Sequence, residues 1–139
     1  MRVSDIMTTE IVCISDQATI KDAHLLMSSR GVRHLPVVSE NDGALVGILT
    51  HKKMIATVMS ILTHYGNEGL DRQERRTLVA DIMEREFQKV TLDEPLLVIV
   101  DCFIDNKLGC LPVVDDSHKV IGILTSSDFV KLCATLLKQ

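Results

Sequence analysis

The chain has no tryptophan, one tyrosine and three phenylalanines, so the core of this 46% hydrophobic sequence falls to aliphatic side chains. It has no long apolar run either. Leu96, Leu97, Val98, Ile99 and Val100 are stopped by Asp101, far short of the ~20 residues that a membrane span needs. Asp5 interrupts the N-terminus before the apolar stretch of a secretory signal can form, so the expected address is cytoplasmic. The four cysteines (Cys13, Cys102, Cys110, Cys133) include no C-x-x-C pair, which reads as small apolar residues in a reduced chain. His24, His34, His51, His64 and His118 include no H-x-x-x-H pair, so no metal site is expected. Neither G-x-x-x-x-G-K-[ST] nor G-x-G-x-x-G occurs, which removes the usual phosphate cradles. There is no basic excess: 15 Lys and Arg stand against 19 Asp and Glu, giving −4, which argues against nucleic acid as a partner. No serine or cysteine carries a local nucleophile signature. The expectation is a binding module with no catalytic residue, not an enzyme.

What is present is a repeat. Val3, Asp5, Ile6 and Met7 recur 76 positions later as Val79, Asp81, Ile82 and Met83. At the same spacing Leu35-Pro36-Val37-Val38 recurs as Leu111-Pro112-Val113-Val114, and Ile20 becomes Leu96. After the loss of one turn residue, Gly47-Ile48-Leu49-Thr50 recurs as Gly122-Ile123-Leu124-Thr125. Three blocks in one order identify two copies of a structural unit. At 139 residues the two copies together fit a single domain, one able to bury about two thirds of its unfolded surface.

Each copy reads as strand, helix, strand, strand, helix. In the first, residues 11–15 form a short strand, and Thr19 with Asp22 caps a helix whose apolar positions are Ile20, Ala23, Leu26 and Met27. Gly31 stands at its C-terminal stop, and residues 34–38 and 45–49 form two strands around a polar turn. A helix with a wide apolar face follows, from Met54 through Leu62. The second copy repeats the order, ending in a helix with Phe129, Val130, Leu132, Cys133, Leu136 and Leu137. The expected division is residues 1–63, a solvated linker or frayed helix extension over 64–78, and residues 79–139.

The blocks D-I-M, L-P-V-V and G-I-L-T-x-x-D resemble the CBS domain. The second copy matches in full, through Asp128; the first departs at its last position, where Lys53 stands for the aspartate. The resemblance covers nearly the whole chain. It implies an α+β fold of two β-α-β-β-α units about a pseudo-twofold axis, with an adenine nucleotide or other adenosyl ligand in the cleft between them. It also implies a regulatory, ligand-sensing role and a homodimer through the final helix of each unit, with a regulated protein partner open. The ligands it suggests are AMP, ADP or ATP, with S-adenosylmethionine ranked behind them.

Two readings of T-x-x-D stay open. Thr125 and Asp128 suit an N-cap and its acidic capping partner. As the resemblance implies, they also suit ribose recognition, since a carboxylate is an acceptor-only group that matches a vicinal diol. A lysine cannot play that part, so one competent site is expected, on the second copy. Ser126 and the segment Gly109, Cys110, Leu111 and Pro112 are placed beside it. The cations lie in the first copy: Arg33 and His34 before the proline, Lys52 after Thr50. That pattern is similar to the gamma subunits of AMP-activated protein kinases, which implies that His34 and Lys52 meet the phosphates of the nucleotide held by Asp128, with Arg33 serving the first copy's own site. The competing class is a ligand-free dimerisation module that regulates a partner by contact.

Overall fold

The two D-I-M blocks close one-turn helices, α1 (Val3–Ile6) and α4 (Val79–Ile82), in the computed structural model, which describes all 139 residues. Their aspartates cap the turn: Asp5 Oδ2 accepts the Arg2 N–H at 2.7 Å, and Asp81 Oδ2 accepts the Leu78 N–H at 3.0 Å. Their methionines fill space that a glycine leaves open. A Cβ on Gly122 would lie 2.7 Å from Met7 Sδ, and one on Gly47 would lie 2.6 Å from Met83 Sδ. Met7, from the first copy, thus packs on the second copy's Gly122, and Met83 packs on the first copy's Gly47. The backbone follows the same exchange. Thr8 and Ile123 share two hydrogen bonds of 2.9 Å, and Glu84 and Ile48 share two of 2.8 and 3.0 Å.

The chain therefore packs as two units that are not the linear copies. The first unit is Val12–Phe87; the second is Gln88–Gln139 together with Met1–Ile11. This differs from the division expected at residues 63 and 79, because each one-turn helix supplies core to the sheet of the opposite copy. Val79 is fully buried with Ile14, Ile20, Leu35, Leu49 and Met54, whereas Val3 is buried with Val90, Leu96, Ile99, Leu111 and Leu124.

In the first unit, β1 (Ile14–Ser15) runs parallel to β2 (His34–Val38), which is antiparallel to β3 (Leu45–Thr50). β1 is shorter than the expected 11–15, because only Ile14 and Ser15 find partners, Val37 and Val38. α2 (Ile20–Arg30) begins in the Thr19–Asp22 capping box, with Thr19 N–H to Asp22 at 3.0 Å and Asp22 N–H to Thr19 Oγ1 at 3.2 Å. It ends at Gly31, whose φ of 64° is left-handed and cheap only for glycine. Of the two forms expected for residues 64–76, linker or helix extension, the chain takes the second: they continue α3 (His51–Arg76), which bends at Gly66, where φ is 69°. The part beyond the bend carries Asp71, 3.3 Å from Lys21 of α2, and a buried Glu74, 3.7 Å from His24.

The second unit repeats the plan with α5 (Leu96–Asn106), β4 (Cys110–Val114), β5 (Val120–Thr125) and α6 (Ser126–Leu137). β4 and β5 pair antiparallel, and the register irregularity at Val113/Val114 matches the one at Val37/Val38. The counterpart of β1 is reduced to a parallel bridge between Val90 and Val113. Phe103 and Phe129 meet edge to face, 5.0 Å apart, between α5 and α6.

Candidate functional site

Asp128 occupies the first turn of α6, and only 5% of it is exposed. The junction from β5 into α6 puts Thr125 at the N-cap, where its N–H donates to Asp128 Oδ2 at 2.8 Å. Its hydroxyl stands 3.5 Å from the same oxygen. The other oxygen, Oδ1, accepts the Thr8 hydroxyl at 2.7 Å. An acidic group in the first turn also suits the helix dipole. The capping role is therefore fulfilled, and both carboxylate oxygens already have donors.

Cys110 stands opposite Thr125 in the β4–β5 register, so Gly109 and Cys110 lie at the same end of the sheet as the Thr125–Asp128 junction. Leu111 and Pro112 are buried further along β4, and Ser126 is exposed. A cavity of about 280 Å³ opens beside Asp128, lined also by Met1, Asp5, Ile6, Lys131, Leu132 and Thr135. That is just under the ~300–1,000 Å³ usual for small-molecule sites. None of Gly109, Cys110, Leu111 or Pro112 lines it. Thr8 and Lys131 carry no motif of their own in the sequence, and Asp5 stands out only as part of the repeated D-I-M block. The available signal for Thr8 was its place directly after D-I-M.

The expected cations gather at the equivalent corner of the first unit. His34 stands opposite Thr50 in the β2–β3 register, and the His51 N–H donates to the Arg33 carbonyl at 2.7 Å. Thr50 caps α3, accepting the Lys53 N–H at 3.1 Å. Arg33, Lys52 and Lys53 are exposed. His34 differs from the cation expected of it. Burial, then the neighbouring Arg33 charge, lowers its pKa below the ordinary 6.5, against a weaker upward pull from Glu84. At neutral pH it offers a neutral imidazole, not a charge. No helix is long and apolar enough to cross a membrane.

Two units of this plan, each with a methionine-on-glycine lock and a threonine-capped final helix, define a tandem-repeat module. The chain belongs to the CBS domain family, whose model matches residues 3–60 and 79–135. Pairs of this family are in general regulatory, not catalytic. Among curated proteins, the chain is 31% identical over 133 residues to the uncharacterized protein MJ1225 of Methanocaldococcus jannaschii, covering 95% of this chain and 47% of that protein. It is 33% identical over 130 residues to a homoserine O-acetyltransferase of Methanosphaerula palustris, covering 94% of this chain but 24% of that enzyme. The chain thus spans at most about half the length of these relatives. Among solved structures, the CBS domain pair of protein MJ0100, in complex with 5′-methylthioadenosine and S-adenosyl-L-methionine, superposes with a TM-score of 0.76 at 26% identity, covering 97% of each chain. CBSX2 of Arabidopsis thaliana, in complex with AMP, does so with a TM-score of 0.77 at 27% identity, covering 99% of this chain and 98% of that one.

Proposed function

We propose that this chain is a non-catalytic ligand sensor that binds one adenosine-containing molecule through its second unit, with Thr125 and Asp128 holding the ribose. The observation that carries this reading is Asp128: a buried, acceptor-only carboxylate at the β5–α6 corner, on a unit whose counterpart position holds Lys53. The ligands named for MJ0100 and CBSX2 share an adenosine moiety and differ beyond it, which favours recognition anchored on the nucleoside. AMP, ADP or ATP remain the preferred candidates. Homodimerisation through α3 and α6 belongs to the same proposal.

Titration calorimetry with adenosine and AMP tests it. Asp128→Ala removes a charged acceptor worth about 1.5–3 kcal/mol, so affinity should fall about ten- to a hundredfold while circular dichroism stays that of the folded chain. Unchanged affinity would leave Asp128 as a cap alone. The rival reading, a ligand-free module acting by contact, draws on the internal satisfaction of Asp128 by Thr8 and Thr125. It predicts no heat with any adenine ligand. With no tryptophan and one tyrosine, the chain absorbs little at long ultraviolet wavelengths, so a co-purified nucleotide would dominate its spectrum.

A further inference from the structure

We infer that Thr8 is a positioning residue that holds Asp128 closed to solvent in the empty protein and must give way when a ribose binds. The inference rests on Asp128 as the ribose acceptor and concerns how that acceptor is regulated.

Three observations carry it. The Thr8 hydroxyl donates to Asp128 Oδ1 at 2.7 Å, and Thr125 N–H occupies Oδ2, so each oxygen has a donor. Asp128 is only 5% exposed, which leaves little room at Oδ1 for a second hydroxyl beside that of Thr8. The Thr8 backbone is tied to Ile123 by two hydrogen bonds of 2.9 Å, so its freedom lies in χ1, where a threonine has staggered alternatives. The gate is therefore a side-chain rotation, and the segment carrying it stays in place.

The first unit shows that this hydrogen bond is not needed to seat the segment. Glu84 makes the same backbone bridge to Ile48 that Thr8 makes to Ile123, yet the side chains at the two equivalent places are Glu84 and Lys53. The frame forms with or without a hydroxyl–carboxylate pair. The pair marks the one unit that has a carboxylate to guard. A buried carboxylate with an empty oxygen is costly, so Thr8 stabilises the empty state, and binding a diol forfeits that contact.

The test compares adenosine with 2′,3′-dideoxyadenosine on the wild-type chain, Thr8→Val and Thr8→Ser, by calorimetry with a melting curve for each. Thr8→Val should bind adenosine about three- to tenfold tighter, because one charge-assisted hydrogen bond no longer has to break. Its affinity for the dideoxy compound should not change, its ligand-free melting midpoint should fall, and Thr8→Ser should behave as wild type. Adenosine binding that is unchanged or weaker, or equal shifts for both compounds, would overturn the gate and leave the proposed site standing. No adenosine binding by either the wild type or Thr8→Val would remove the site and the gate together. Should the valine variant fail to fold, Thr8→Ala serves as the second hydroxyl-free variant, read against the same ratio.

Discussion

Among single residues, His34 sits in an environment that reverses what its side chain suggests. In the sequence it stands beside Arg33, next to the L-P-V-V block, and reads as part of a cationic set. In the fold it is half-buried on β2, and desolvation together with Arg33 disfavours its proton, with Glu84 opposing weakly. The unfolded chain therefore takes up that proton more readily than the folded one. The neutral form's contribution to stability is complete above the ordinary pKa of 6.5 and is lost as pH falls through the lowered folded value. Urea unfolding should show stability dropping as pH falls below about 6.5, and His34→Gln should flatten that slope. An identical slope in the variant would place the acid sensitivity elsewhere. Thr8 shows the opposite case. A lone threonine after a methionine has no signature of its own, and its partner lies 120 residues away. Pairings of that length are decided by topology, which one sequence does not display.

At the scale of elements, the repeat sets up its own controls. Gly31 and Lys107 hold equivalent places at the ends of α2 and α5, and both are left-handed, with φ of 64° and 51°. A lysine bears a steric cost there that glycine does not, about 1 kcal/mol. Lys107→Gly should therefore raise the unfolding free energy by up to about 1 kcal/mol, read from the urea midpoint. A lower midpoint would mean the Lys107 side chain holds something the backbone argument omits. The methionine-on-glycine locks give a second control. A Cβ on Gly47 would meet the Glu84 carbonyl oxygen at 2.9 Å as well as Met83, whereas on Gly122 the nearest backbone atom, the Thr8 oxygen, is 3.2 Å away. Met83 can bend aside, but a bridged carbonyl cannot. Gly47→Ala should cost about 1–3 kcal/mol, and more than Gly122→Ala, in the same unfolding measurement. The elements themselves were largely legible. The Thr19–Asp22 box, the Gly31 stop and the strands around both prolines stand where local chemistry puts them, because caps, turns and alternation act over a few residues. The helical course of residues 64–76 was harder to read. Its two glycines and mixed charges suit a linker as well as a helix extension, and what decides for the helix, its hold on α2, comes from Lys21–Asp71 and the burial of Glu74, contacts across about fifty residues.

At the scale of the whole molecule, two linear copies could be seen in the sequence, but not that the packing units trade their opening segments. A repeat reports what is similar; which copy a one-turn helix completes depends on which glycine its methionine reaches. Assembly is the remaining question at this scale, and α5 adds a further apolar face to the α3 and α6 faces proposed for the dimer. Its sequence is apolar around most of its circumference, a pattern expected of a helix enclosed on all sides. Yet only Leu96 and Ile99 are buried, while Leu97 and Ile104 are 77% and 66% exposed. On α6, Val130 and Leu137 are likewise exposed, and Met59 is on α3. Apolar surface on this scale marks an association site more often than a free face. Light scattering at micromolar concentration should accordingly give twice the 15.4 kDa of one chain. Leu97→Glu and Val130→Glu change side chains that lie outside the core, so each should shift the population toward monomer with little change in the melting midpoint of the monomer itself. A wild-type chain that scatters as 15.4 kDa throughout would remove the dimer. A dimer indifferent to both substitutions would move the contact away from α5 and α6, leaving the face of α3 around Met59 to be tested by the same substitution.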